Sequence, residues 1–398
     1  MKQQPSKMTL FWFGCLSMLG FLATDMYLPA FETIRVTFTT NKAMVGLTLS
    51  IFLFGMAIGQ LVYGPLSDRI GRKKVLLAGM LLFCLATILC ILARNIQLFL
   101  IARFLQALGA CSATVIWQAV VVDRYPNKIS EHIFATIMPL VALSPALAPL
   151  AGAILEQYFG WQSIFISLII FAVLIVLMTL NESESADLSQ KSENLTQQLM
   201  RDYKSILTSK NFLGNVLIFS ACSGAFFAYL TGSPFIMKAM GYSGKDIGLS
   251  YIPQTLAFII GGYGCRALLK RYQGKQLLPW LLGLFFTNVV AMFILSISIE
   301  MDTIWTILLP FCLLAAANGA VYPIVINSAL ADFKYCSATA AGLLNFLQTL
   351  FCSIVSALVS SFAYYGLLTV TTAMFIAGFL AILGFILLKS NLITTFIK

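Results

Sequence analysis

The sequence predicts an all-α polytopic membrane protein, with twelve transmembrane helices in two pseudo-symmetric six-helix halves. Hydrophobic residues make up 60% of the chain and charged ones 10%, against about 45–50% and about 25% in soluble domains. The apolar residues gather into runs of roughly 20, the length a helix needs to cross hydrocarbon. The runs show no period-2 alternation, which sets a membrane barrel aside. Hydrocarbon leaves the backbone no third way to satisfy its polar groups.

The runs fall at about 8–30, 43–66, 75–93, 97–122, 133–156 and 161–180, and again at 212–233, 246–269, 277–298, 303–328, 338–362 and 366–388. The expected organisation is an N-terminal bundle over 1–180, a cytoplasmic linker over 181–211 and a C-terminal bundle over 212–398. The linker opens with "NESESADLSQKSENLTQQ" and ends in a short amphipathic stretch near Tyr203. The first run follows Lys2 and Lys7 and lacks a small-residue cleavage site, so it is expected to stay as a span.

The bases set the orientation. With both termini inside, the inner segments hold Arg69, Arg72, Lys73, Lys74, Arg124, Lys128, the linker bases, Arg266, Lys270, Arg271 and Lys275. The outer loops hold only Arg35, Lys42, Arg94, Lys238 and Lys245. This satisfies the positive-inside rule for a bacterial inner membrane. The formal charge of +10 therefore reads as topology rather than as a nucleic-acid footprint. Nine cysteines show no C-x-x-C spacing and read as small core residues, so neither metal nor cofactor is expected. Each half carries its strongest basic loop after its second span, "DRIGRKK" and "RALLKRYQGK". A duplicated six-helix half is an architecture common among secondary transporters.

Three motifs carry a family resemblance. "GPLSDRIGRKK", 64–74, resembles the loop signature of the major facilitator superfamily, with Gly64, Asp68, Gly71 and Arg72 in register. "RFLQALGA", 103–110, resembles its fourth-helix motif. "SPALAPLAGA", 144–153, looks like a degenerate fifth-helix antiporter motif in which Ala148 replaces a glycine and Gly152 remains. "TDMYLPAF" looks like the first-helix hallmark of the bicyclomycin/chloramphenicol-resistance (Bcr/CflA) family of drug:proton antiporters. "YLTGSPFI" and "NGAVYPIV" bring the chain nearest to that family's purine nucleoside transporter branch. The resemblance implies the superfamily fold, small-solute transport coupled to protons and a monomer in the bilayer. It also implies a conformational latch at Asp68. Ser337, a candidate helix cap, is its expected partner, and an Arg72–Asp123 ion pair supports the same cluster.

Asp25 is an acid inside the first run with no base within one helical turn. An ionised carboxylate in a bilayer costs roughly 2.5–3.5 kcal/mol, whereas a carboxyl that exchanges a proton there serves coupling. Five residues of the run follow it, so an acid at the outer interface is the competing reading. Arg103 is the one base placed well inside a span, and the resemblance assigns it to the proton relay. Gln106 and Trp117 lie about 60° and about 40° from it around the helix and are expected on the solute side. In the second half Asn215, Phe226 and Tyr229 share one face of the seventh span. Asn345 and Gln348 share one of the eleventh, and Gln254, Asn318 and Tyr322 add polar groups from the eighth and tenth. Uncharged amides among aromatics suit a neutral heteroaromatic solute.

No Walker-type phosphate loop appears, so nothing points to ATP drive. A polytopic enzyme would cluster acids or histidines, but the linker acids are scattered and the one histidine, His132, is expected in a loop. The expected activity is drug efflux by proton antiport, with purine nucleoside import by proton symport as the alternative.

Overall fold

The computed structural model describes residues 5–125, 127–185, 195–269, 271–298, 303–333 and 337–396. The first crossing is broken. Helix α1 (Lys7–Asp25) is followed by a turn, a 3-10 segment (Leu28–Ala30) and a short α2 (Phe31–Thr37). Helices α3 (Lys42–Ile70), α4 (Arg72–Leu92), α5 (Ile96–Arg124), α6 (Asn127–Phe159) and α7 (Gln162–Leu180) follow. Then come α8 (Leu195–Thr208), α9 (Lys210–Ala239), α10 (Gly244–Leu268), α11 (Gly274–Ser298), α12 (Trp305–Leu330), α13 (Ser337–Ser361) and α14 (Leu367–Phe396). No strand occurs among the described residues.

Ten helical segments are long and apolar enough to cross a membrane. The long helices α6 and α10 complete the twelve expected from the apolar runs. The chain forms two compact units. The first holds Met1–Ser192 with Gly244–Leu249, and the second holds Glu193–Ser243 with Ser250–Lys398. Helix α8, which contains the amphipathic stretch near Tyr203, groups with the second and buries Ile206.

Helix starts follow capping chemistry. Ser6, Asn41, Asn95 and Ser209 each accept a hydrogen bond from the backbone N–H three residues on, satisfying donors that the first turn leaves orphaned. The outer faces are apolar and exposed, as on α7, where Ile166, Ile170, Val173 and Leu177 recur at helical spacing.

Inner faces approach through small residues, as membrane bundles require. A Cβ on Gly109 of α5 would lie 2.5 Å from the Phe83 nitrogen of α4. A Cβ on Gly152 of α6 would collide with the Met26 carbonyl oxygen at the break in the first crossing. Ala148, one turn back, is buried, so alanine is tolerated where the antiporter motif has glycine. A side chain at Gly152 must push α6 off the break, and overpacking typically costs about 1–3 kcal/mol. Gly152→Val is expected to lower the thermal midpoint in detergent. Gly64→Ala, surrounded by open space, should leave it unchanged; equal midpoints would show that α6 and the break are not in close register.

Candidate functional site: a buried arginine and a broken helix

Asp25 is the last residue of α1 and is only 4% exposed. The helical segment continues through Pro29 to Thr37. The acid therefore sits at a break within that segment, buried in protein. Pro29 has no N–H and occupies the first turn of the 3-10 segment, where none is needed. Thr24 donates to the Gly20 carbonyl at 2.7 Å, a back-bond that often accompanies helix bending.

Arg103 is fully buried. Its Nη1 donates to Gln106 Oε1. Gln106 Nε2 in turn donates to Thr87 Oγ1 at 2.9 Å, and Thr87 donates to the Phe83 carbonyl at 2.6 Å. The guanidinium carbon lies 4.1 Å from the Tyr27 ring centroid and 4.2 Å from that of Phe52. The Tyr27 hydroxyl donates to Thr48 Oγ1 at 3.0 Å, because the Thr48 hydrogen goes to the Val45 carbonyl. Nε and Nη2 of Arg103 have no hydrogen-bond partner among the described residues. A desolvated cation over an aromatic face gains about 2 kcal/mol. Two rings, one of them belonging to the break beside Asp25, hold this charge.

Two expectations need correction. Gln106 does not present its amide to a solute, since both ends are engaged and its role is to position Arg103. Trp117 shares the helix face of Arg103 but lies about 21 Å along it, where it packs on Phe13 at 6.4 Å.

In the second unit, α9 and α12 run antiparallel along a polar seam. Asn318 Nδ2 donates to the Cys222 carbonyl at 3.0 Å, and Ser223 donates to the Tyr322 hydroxyl at 2.9 Å. Tyr322 meets Phe219 and Phe258 edge-on. Tyr229 stacks on Phe311 at 3.8 Å, and Phe226 on Phe311 at 5.5 Å. Gln254 of α10 is buried, and among the described residues neither of its amide atoms has a partner, nor do Tyr229 Oη and Asn318 Oδ1.

Asn215 departs from this group. Its amide donates to the Asn211 carbonyl and to Ser328 Oγ, about 21 Å along α9 from Tyr229, and it reads as an interhelical tie. On α13, Asn345 is exposed. Gln348 donates to Cys352 Sγ at 3.3 Å and accepts from Thr349. Sequence reasoning missed Phe311, although it lies two turns before Asn318 on the same face of α12.

The loop signature closes the α3–α4 junction. Gly71 adopts φ 108, ψ 143, a region nearly exclusive to glycine. Glu184 accepts from the backbone N–H groups of Arg72, at 2.8 Å, and Lys73. Lys73 Nζ donates to the carbonyls of Leu180 and Glu182, and Arg124 pairs with Glu182. The expected Arg72–Asp123 ion pair forms at 3.0 Å. The side chains of Asp68 and Ser337 lie outside the described residues. Gly64 sits inside α3 with open space around it, so it makes no close approach. Glu184, an acid at a helix N-terminus, was absent from the expectations because its partners lie 112 residues away in sequence.

Among the described residues, twelve long helices, ten of them in segments long and apolar enough to cross a membrane, make this a multi-pass membrane fold. Residues 13–357 match the description "Major Facilitator Superfamily", and the chain belongs to that superfamily, whose members are transporters rather than enzymes. It is 29% identical to the uncharacterized MFS-type transporter YdgK of Bacillus subtilis, over 88% of this chain and 87% of that protein. It is 26% identical to the chloramphenicol resistance protein CraA of Acinetobacter baumannii, over 86% and 82%. It is 29% identical to the multidrug transporter MdfA of Edwardsiella piscicida, over 65% of this chain and 63% of that protein. Among solved structures, a bacterial homolog of the human lysosomal transporter Spinster superposes with a TM-score of 0.75 at 14% identity, over 96% and 97% of the two chains.

Losing a hydrogen bond to a charged group typically costs about 1.5–3 kcal/mol. Gln106→Ala, which frees Nη1, is therefore expected to reduce transport by roughly 10- to 100-fold if Arg103 orientation limits the cycle. Arg103→Lys keeps the charge without the planar fork and should fall between wild type and Arg103→Ala. Full transport by Arg103→Ala at equal membrane abundance would remove this residue from the cycle.

At the loop, Gly71→Ala combines backbone strain of about 1–3 kcal/mol with a Cβ 2.5 Å from Glu184 Oε2. Glu184→Gln loses only the charge at the helix end, about 0.3–1 kcal/mol. Thermal midpoints should therefore fall further for Gly71→Ala. The reverse order would show that the cap, not the backbone, dominates.

Proposed function

We propose that the chain is a proton-coupled secondary transporter of Bcr/CflA type that expels drug-like solutes in exchange for protons. The observation that carries this reading is the placement of Asp25. A buried carboxyl lies at a helix break two residues before Tyr27, whose ring stacks on the fully buried Arg103. Asp25 carries the proton. The partners of Arg103 are an amide and aromatic faces. The break supplies the backbone freedom by which protonation at Asp25 reaches Arg103 through Tyr27.

Drug-like cargo is favoured by the similarity to CraA and MdfA, whose names record chloramphenicol resistance and multidrug transport. The positive-inside pattern supports a bacterial inner-membrane protein with both termini in the cytoplasm, and the α3–α4 loop then acts at the cytoplasmic rim as the conformational latch. No partner subunit enters this reading; the transporter acts as a monomer on a small solute and protons.

A second reading, purine nucleoside import by proton symport, rests on one observation. The second unit gathers uncharged amides and a stacked aromatic trio. Drug susceptibility and uptake of labelled adenosine, measured in one deletion strain carrying this gene, separate the two.

Asp25→Asn tests the coupling common to both. It should abolish solute movement driven by a pH gradient while leaving solute exchange at equal pH measurable in proteoliposomes. A mutant that still concentrates solute in proportion to the pH gradient would rule Asp25 out as the proton carrier.

A further inference from the structure

Among the described residues of the second unit, Gln254 is the least satisfied polar side chain. It is 1% exposed, and neither its carbonyl oxygen nor its amide nitrogen has a hydrogen-bond partner among them. Buried amides almost always find partners, and the exceptions call for a cause. Other polar residues of the same unit are paired: Thr231 with Ser356, Tyr322 with Ser223, Ser296 with Thr371.

The contacts place Gln254 in register with the aromatic stack. Helices α9 and α10 are joined by a short turn and so run antiparallel, and Ser233 of α9 meets the Tyr251 hydroxyl of α10 at 3.3 Å. One turn along α10 from Tyr251 is Gln254, and one turn back along α9 from Ser233 is Tyr229. The Tyr229 hydroxyl has no hydrogen-bond partner among the described residues, while the ring lies flat on Phe311. Two turns further along α12 from Phe311, Asn318 donates to the Cys222 carbonyl and leaves its oxygen free. Three helices thus each carry an unpartnered polar group, Gln254 one turn from the Ser233–Tyr251 contact, and Tyr229 and Asn318 at or within two turns of the Tyr229–Phe311 stack.

We propose that Gln254 is the specificity-determining residue of this transporter. It reads the edge of a flat, neutral heterocycle that carries a donor and an acceptor on adjacent positions, with Tyr229 and Phe311 as the apolar wall. This rests on the second reading above, in which the second unit recognises a nucleoside-like solute. A primary amide presents one acceptor beside one donor, and it pairs bidentately with an amino group next to a ring nitrogen. Rotated by half a turn, the same amide pairs with a ring N–H next to a carbonyl. The site therefore accepts amino- and oxo-heterocycles alike, and it rejects rings that lack the donor, because Gln254 Oε1 would then stay unpaired.

Equilibrium binding of tritiated adenosine to the purified full-length protein in detergent tests this, with unlabelled inosine and purine riboside as competitors. Purine riboside keeps the ring nitrogens but has no exocyclic donor. Wild type should hold adenosine and inosine within about threefold of each other and purine riboside at least tenfold more weakly. Gln254→Met, similar in size and without the amide, should bring all three within about threefold. Gln254→Leu, a second amide-free side chain, should likewise bring all three within about threefold, which covers the case in which Gln254→Met fails to fold. Wild type that binds purine riboside as well as adenosine overturns the proposal, as does a tenfold preference that survives in Gln254→Met or an absence of adenosine binding. Because no proton gradient is present, failure of Asp25 coupling leaves these ratios untouched, and their failure leaves the coupling test intact.

Discussion

A guanidinium in the interior of a membrane bundle must be neutralised, solvated or held by polarisable surfaces, because an unpaired buried charge costs several kcal/mol. In this chain Arg103 has an amide and two aromatic faces, and no ion pair with it occurs among the described residues. Much of the first unit follows from that need. Phe52 belongs to α3 and Tyr27 to the break in the first crossing, so satisfying Arg103 fixes both against α5. Thr48 anchors the Tyr27 hydroxyl, and Thr87 orients Gln106. Four chain segments are thereby held by one cation.

The break has a similar logic. A helix interrupted inside a span leaves backbone groups unpaired, which is tolerated only where protein covers them. Gly152 lets α6 lie against the Met26 carbonyl, and the 3-10 segment closes with Ala30 donating to the Tyr27 carbonyl at 3.0 Å. The glycine that persists in the degenerate fifth-helix motif is the one the break needs, and the position that became Ala148 is one where a methyl group fits.

The fold class was legible because hydropathy and the placement of bases are properties of the chain itself, unaffected by which helices become neighbours. The crossings were located within several residues. The break was not, because Pro29 near the end of an apolar run reads as its terminus, and the run was cut at about residue 30 rather than at Thr37. Of the site, the unusual residues could be picked out, Asp25 and Arg103 by their charge and Gln254 by its polarity. Their roles could not, since a shared helix face says nothing about who answers it from the next helix. Gln106 and Asn215 looked like solute ligands and proved to be ties, and Phe311 and Glu184 acquire meaning only from Tyr229 and from the α4 N-terminus.

The two units also differ in kind. The first places its ionisable groups in the interior, with Asp25 and Arg103 both buried; the polar atoms picked out along the α9–α12 seam and on Gln254 are uncharged amides and hydroxyls. A charge that changes during a cycle perturbs everything within reach of its field, which in a low-dielectric interior is long. A recognition surface of neutral hydrogen-bonding groups is little affected by such a change. On the proposed reading, proton chemistry stays on the first unit and neutral recognition on the second, so a solute-contacting residue can change without altering the field at Asp25 and Arg103.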